Sequence, residues 1–208
     1  VRVLREVDRI ACEDTRVTRR LCEHFGVEGT LLRHEAHNEA ASTAGILALL
    51  SDDVSVALVS DAGTPCINDP GQRLIAAAIE AGHRVVPVPG ASSLIVALSA
   101  SGLPTDRFTF HGFVPKKVTE RSTVLSTLGR GTHALFCPAR DLPRVVSALA
   151  EAQPAAQVVV AREMTKVHET WYRGVATELA EELSDETLKG EAVILVHIAP
   201  APADVSDR

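Results

Sequence analysis

Ser60-Asp61-Ala62-Gly63-Thr64-Pro65-Cys66-Ile67-Asn68-Asp69-Pro70-Gly71 is the stretch on which the fold turns. An apolar, β-branched run, Val54 to Val59, precedes it and reads as a buried strand. Leu74 to Ala81 follows with helical periodicity and is closed by Gly82. Asp69 stands where an N-cap belongs, and Pro70 at the first helical position. The stretch is thus a strand-to-helix loop with an acid at its strand tip. Ligands of open α/β sheets bind at the carboxyl edge of the strands. Gly63 would let a ligand approach the backbone closely. Ordinary turn chemistry also uses Pro and Gly, but the loop's length and its acid favour a site.

Working outward, strands are expected at Val54–Ser60, Arg84–Val88, Arg107–Gly112, His133–Pro138, Gln157–Arg162 and Ala192–Ile198. Helices are expected at Thr15–Phe25, Asn38–Ser51, Pro70–Ala81, Ser92–Ser101, Thr119–Leu128, Leu142–Glu151 and Val175–Leu183. The alternation is an α/β signature. Gly102 to Thr105, with Pro104, marks a domain boundary. The expectation is an N-terminal α/β domain over residues 1–104, a C-terminal one over 105–199, and a disordered tail over 200–208.

At 208 residues and 46% hydrophobic content, the chain can bury one sizeable core or two small ones. Aromatic residues make up only 3%, so that core must be Val, Leu, Ile and Ala, which suits helices packed on parallel sheets. The four cysteines, Cys12, Cys22, Cys66 and Cys137, show no metal-binding spacing and read as reduced thiols of a cytoplasmic protein. No metal is expected. No apolar run is long enough for a membrane helix. The only methionine is Met164, and the chain opens at Val1 inside an amphipathic segment of Val3, Leu4, Val7 and Ile10, so a missing N-terminal portion is expected.

A net charge of −6 argues against nucleic-acid binding by bulk electrostatics. Basic residues cluster locally, however. Arg16, Arg19, Arg20 and Arg33 form one group, and Lys116, Lys117 and Arg121 another. Either group is a solvated face or a patch that docks RNA.

Several segments, in order, carry a resemblance. The opening loop resembles the "SDAGTP-x-I-x-DPG" signature of the small-subunit ribosomal RNA ribose 2′-O-methyltransferase I family, within the tetrapyrrole-methylase superfamily. Ala11-Cys12-Glu13-Asp14-Thr15-Arg16 resembles its "ACEDTR" segment, and His34-Glu35-Ala36-His37-Asn38-Glu39 its "HEHNE" segment. Val88-Pro89-Gly90-Ala91-Ser92-Ser93, Phe110 to Pro115, Ala161 to Glu169 and Lys189-Gly190-Glu191 are similar to its "PGxSA", "FxGFLP", "ARELTKxxE" and "KGE" segments. Three departures stand out: the family's first strand and "TPIGNLxD" loop are expected to be missing, Phe136 to Asp141 stands where that family has "YEsPHR", and Cys66 replaces a commonly small residue of the signature loop.

The resemblance implies a class III S-adenosyl-L-methionine methyltransferase of two α/β domains with the cofactor in the cleft between them. It implies 2′-O-methylation of a cytidine ribose in 16S rRNA, acting on the small ribosomal subunit, in a homodimer. A tetrapyrrole or other small-molecule methylase, and a non-catalytic paralogue that binds cofactor or RNA, are the alternatives. Cofactor contacts would come from Ser60, Asp61, Ala62, Gly63, Thr64, Ser92 and Ser93, and, on the resemblance, from Met164 and Thr165. Ser92 also reads as a helix N-cap.

Ribose methylation needs a base for the hydroxyl proton and a surface that holds the RNA. Glu13, Asp14, His37 and Lys166 are the candidate catalytic residues, with no base ranked among them. Glu13 and Asp14 equally suit the positive end of the following helix, which Thr15 could cap. His37 titrates near neutrality but also reads as a polar helix start. Lys166 would need a depressed pKa, and an ion pair with Glu169 is as good a reading. Arg16, Arg19, Lys116 and Lys117 are the candidate RNA contacts.

Overall fold

A computed structural model describes residues 1–200 of the chain. The disordered tail expected over 200–208 falls, Pro200 apart, outside the described residues. The chain divides into two compact units, Val1–Ser92 and a second that begins at Ser93.

The first unit runs α1 (Arg2–Glu6), β1 (Arg9–Cys12), α2 (Thr15–Phe25), β2 (Thr30–Arg33), α3 (Glu39–Ser51), β3 (Val56–Val59) and α4 (Gln72–Glu80). Its three strands are parallel, in the order β2-β1-β3. Alternation along β1 sends successive residues to opposite faces. Ile10 packs with Cys22 of α2 and with Val27, whereas Ala11 packs with Ile46 of α3 and Leu74 of α4. The sheet is therefore covered on both sides, as the βαβ pattern requires.

Two short strands of this sheet escape the apolar pattern. The amphipathic segment Val3 to Ile10 spans the end of α1 and the start of β1 rather than one helix. Thr30–Arg33 is a strand of four residues with exposed ends. In contrast, the strand expected at Arg84–Val88 does not form. Residues 83–92 carry neither helix nor strand, and Val86 and Val88 are 58% and 61% exposed. β3 is an edge strand, and the 84–88 valines pair with nothing in the sheet.

The second unit runs α5 (Ser93–Ser101), β4 (Phe108–Phe113), α6 (Val118–Ser126), β5 (Gly131–Pro138), a 3₁₀ turn (Ala139–Asp141), α7 (Leu142–Ala152), β6 (Gln157–Arg162), β7 (Thr170–Val175), α8 (Ala176–Glu182) and β8 (Glu191–Ile198). The sheet order is β4-β5-β8-β6-β7, with β4 parallel to β5 and the remaining pairs antiparallel. One face packs on α6, α7 and α8 through Leu135, Val146, Leu149, Val160, Leu179 and Ile194. The other face packs on α5 through Leu94, Ala97, Leu98, Val159, Val193 and Leu195. That contact explains why the division falls ahead of α5, before the Gly102–Thr105 segment at which a boundary was expected. β7 was not expected. It is a half-buried edge strand whose apolar positions are broken by Arg173 and Gly174.

Candidate active site

Because β1, β2 and β3 are parallel, their carboxyl ends share one edge of the sheet. Each ends in acid: Glu13 and Asp14 after β1, Glu35 after β2, and Asp61 after β3. A cavity of about 550 Å³ opens there, lined by Glu13, Asp14, Thr15, Arg16, Arg33, Glu35 and Asp61.

Both arginines of this cavity are already held. The Arg16 guanidinium pairs with Asp14 at 2.6 Å, and that of Arg33 with Glu35 at 2.9 Å. Asp14, rather than Thr15, caps α2: its Oδ1 accepts the Arg16 N–H at 2.8 Å. Those hydrogen bonds hold the Asp14 carboxyl well below the usual carboxylate range, so it is a fixed charge and a poor base. Glu13 and Asp61 are left as carboxylates outside the ion pairs among the described residues. Asp61 Oδ1 accepts the Asp14 N–H at 3.3 Å, which ties the tip of β3 to the tip of β1. Glu13 moves the other way from Asp14. Burial raises its pKa first, and the charges of Asp61, Asp69, Glu35 and Asp14 add to the rise.

Asp69 belongs to this electrostatic group as well, raised by burial and then by Asp61. It is not the N-cap expected of it. Gly71 occupies the cap position and α4 begins at Gln72, two residues later than the Asp-Pro pattern indicates. An Asp-Pro-Gly turn satisfies the rules for a helix start without being one. A second acid in a loop already carrying Asp61 was the signal available for it.

The Ser60–Thr64 loop is tightly shaped. The Ser60 hydroxyl donates to the Ala62 and Gly63 carbonyls at 3.2 and 3.4 Å. The Thr64 hydroxyl donates to the Ala91 carbonyl at 3.1 Å, which fastens the loop to the residues just before Ser92. Gly63, Cys66 and Asn68 all hold positive φ, at 72°, 69° and 69°. Side chains rarely adopt that region, and such backbone persists where the surroundings over-determine it. Asp61, Ala62, Gly63 and Thr64 are exposed, and nothing lies within 4 Å of where a Gly63 Cβ would sit.

Behind the cavity, His34 is 1% exposed. Its Nδ1 lies 2.8 Å from Ser42 Oγ, and Ser42 donates onward to the Asn38 carbonyl at 3.1 Å. The other ring nitrogen, Nε2, is buried without a hydrogen-bond partner. Burial lowers the His34 pKa. His37 is exposed in the turn ahead of α3 and does not line the cavity.

In the second unit, the segment after β6 is built around Glu163. Its backbone holds φ 49° and that of Thr165 holds 65°. Glu163 Oε1 accepts the Lys166 ammonium at 2.8 Å and the Glu191 N–H at 2.9 Å. This ion pair raises the Lys166 pKa, so Lys166 is a retained cation and not a base at neutral pH. Its partner is Glu163 rather than Glu169. Glu169 instead accepts from the Thr165 N–H at 2.5 Å and from the Trp171 indole at 2.9 Å. Met164 is half-buried against the α5 face of the sheet, while Thr165 is exposed. Ser92 ends the first unit and Ser93 opens α5.

Of the expected RNA contacts, Arg16 is taken up by Asp14. Arg19 lines a second groove of about 350 Å³ beside Glu23, Val27 and Leu31. Lys117 pairs with Glu120 at 2.9 Å, and Lys116 is exposed.

Residues 1–180 match the sequence profile of the Tetrapyrrole (Corrin/Porphyrin) Methylases. The chain belongs to the tetrapyrrole methylase family. Among curated relatives, Ribosomal RNA small subunit methyltransferase I of Xylella fastidiosa is 45% identical over 93% of this chain and 73% of its own length. The protein of the same name from Escherichia coli O157:H7 is 42% identical over 93% of this chain and 70% of its own. A solved structure of uroporphyrin-III C-methyl transferase from Thermus thermophilus, complexed with S-adenyl homocysteine, shares the fold. Its TM-score is 0.57 at 18% identity, over 94% of this chain and 88% of that one.

The chemistry of the cavity suits the methyl donor of such enzymes. S-adenosyl-L-methionine carries a cationic sulfonium and an ammonium. Glu13 and Asp61 supply negative charge outside the ion pairs, and the open space at Gly63 lets a ligand approach the exposed backbone closely.

Proposed function

We propose that this chain is an S-adenosyl-L-methionine-dependent methyltransferase that methylates the ribosomal RNA of the small subunit, at a cytidine ribose 2′-hydroxyl. The observation that carries this reading is the 45% identity, across nearly the whole chain, to a protein named Ribosomal RNA small subunit methyltransferase I; the cytidine ribose 2′-hydroxyl rests on the resemblance of the sequence motifs. The cofactor, when bound, supplies a methyl group already activated by its sulfonium.

The rest falls to the protein. Asp61 holds the cationic end of the cofactor and, through Asp14, fixes the distance between two strand tips. Ser60, Ala62, Gly63 and Thr64 bind it through their shaped backbone, and Ser92, Ser93, Met164 and Thr165 complete the set proposed to hold it. Glu13 is the proposed base. Burial and the neighbouring carboxylates raise its pKa, which makes it a stronger proton acceptor than an ordinary glutamate. Asp14 and Lys166 serve as fixed charges. The working form is proposed to be a cytoplasmic homodimer.

Titrating S-adenosyl-L-methionine into the protein by calorimetry tests the first half of this reading. Transfer of labelled methyl to 30S subunits tests the second. Micromolar binding, about −8 kcal/mol, with label in the 16S rRNA is the expected result. No binding would defeat the reading. A tetrapyrrole substrate is the second reading, favoured by the family description and by the departure at Phe136–Asp141. Label entering uroporphyrinogen and not rRNA would decide for it.

A further inference from the structure

Arg121, on α6 in the second unit, is only 8% exposed. Its Nε is buried with no hydrogen-bond acceptor, and the ion pairs around it among the described residues leave it out. A guanidinium stays charged at any physiological pH. The fold has therefore buried the Nε of a cation without giving it an acceptor, while the two terminal nitrogens of the fork make no side-chain hydrogen bond among the described residues and stay open to an incoming anion.

Both acids of the segments that follow β4 and β5 are already paired. Lys117 lies one turn earlier, its carbonyl accepting the Arg121 N–H at 2.9 Å, and its ammonium occupies Glu120. Asp141 is taken by Arg144. Cys137 feels the charges of Asp141, Arg121 and Arg144 together, yet burial pushes its thiol up to about 12, so it stays neutral. The segments that follow β4 and β5, residues 114–121 and 139–144, carry five cations, Lys116, Lys117, Arg121, Arg140 and Arg144, against two acids, Glu120 and Asp141. The corner lies at the carboxyl ends of the parallel strands β4 and β5, joined there by the Val114 N–H to Phe136 carbonyl bond of 2.9 Å. That edge is where α/β sheets receive ligands.

We propose that Arg121 anchors a phosphodiester-binding site in the second unit, its planar fork gripping one backbone phosphate of a single-stranded RNA. The exposed Lys116, and Lys117 beyond it, extend the positive strip in the way a chain of phosphates would need. This proposal rests on the reading of the chain as an RNA methyltransferase and adds a substrate contact outside the cofactor cavity.

The test uses the full chain and a cytidine-rich single-stranded RNA oligonucleotide, with affinity read by fluorescence anisotropy across a salt series. Arg121→Met keeps volume and removes charge. It should bind about tenfold more weakly, and its log-log salt slope should shrink by about 0.7. Arg121→Lys should keep the slope and lose part of the affinity, because the fork is gone. Affinity and slope equal to wild type in Arg121→Met overturn the proposal. If that variant does not fold, unchanged affinity in Arg121→Lys overturns it. Inorganic phosphate serves as the separate arm. If it raises the melting temperature of wild type while RNA binding ignores Arg121, the site takes a free anion and the RNA proposal fails. Methyl transfer to 30S subunits is scored independently. Arg121-dependent RNA binding without transfer would sink the proposed activity and leave this site standing.

Discussion

The backbone N–H of Asp14 donates to Oδ1 of Asp61 across two strand tips, so one carboxylate both braces the sheet edge and presents charge to the cavity. The two duties can be separated. Asp61→Asn keeps an acceptor for Asp14 but removes the charge, whereas Asp61→Ala removes both. Calorimetry should show cofactor affinity falling about tenfold or more in each. Thermal melting should show only the alanine variant losing stability, about 1 kcal/mol. Equal melting losses in both variants would assign the brace to charge rather than to the hydrogen bond.

Glu13 gives a pH-dependent prediction. Its folded pKa is raised, so between the ordinary glutamate value and the folded one the folded chain holds more protons than the unfolded chain. Stability from this group is therefore present at acid pH and is lost as pH rises through that window. Glu13→Gln should melt about 1–2 °C higher than wild type at neutral pH and no higher near pH 4. Methyl transfer should fall in the same variant. A variant that melts lower at neutral pH would show that Glu13 makes a stabilising contact instead.

His34 behaves in the opposite sense. Burial lowers its pKa, so on acidification the unfolded chain takes up a proton before the folded one. Stability is full above the ordinary histidine range and falls as pH drops through the folded value. His34→Asn retains an acceptor or donor for Ser42 and cannot charge. Denaturant melts should show wild type losing more stability than the variant between neutral pH and pH 5, with about 2 kcal/mol as the ceiling for one proton over that interval. Parallel pH profiles would remove His34 as the cause.

Gly71 closes the loop at φ 131°, and a Cβ there would lie 2.6 Å from Leu58 Cδ2 and 2.9 Å from Cys66 Sγ. Its N–H also donates to Glu39 at 3.2 Å. Gly71→Ala should cost about 2–4 kcal/mol, strain and crowding together, and should weaken cofactor binding by disturbing Ser60–Thr64. Gly63→Ala meets nothing within 4 Å and pays only for its φ of 72°. Its melting loss should be smaller, about 1 kcal/mol.

Where one physical signal dominates, the sequence is read residue by residue. Thr15–Phe25 and Gln157–Arg162 form the expected helix and strand with the expected ends. The misses are elements whose signal is short or shared. Arg9–Cys12 and Thr30–Arg33 have four residues each, too few for alternation to show. Arg84–Val88 has strand composition, but composition cannot provide a neighbouring strand, and pairing is what makes one. At the site, Asp61 was visible at the tip of an expected strand, whereas Glu13, Asp14 and Glu35 follow the two strands that were missed. Which of them were already spent was not visible. The Arg16–Asp14, Arg33–Glu35 and Lys166–Glu163 pairs depend on side-chain direction, and they decide which carboxylates remain to do chemistry. The same holds for Arg121, whose composition reads as surface and whose packing does not.

The last strand of the second unit, β8, lies at the middle of its sheet, between β5 and β6. Order of synthesis and order in space therefore disagree. Until Glu191–Ile198 leaves the ribosome, the β4–β5 and β6–β7 pairs are separate ribbons, each with an apolar edge and no partner. A nascent chain stalled before Glu191 is thus a sticky species, and rare codons or a premature stop in that short stretch would send the product toward aggregation rather than toward a slightly weakened enzyme.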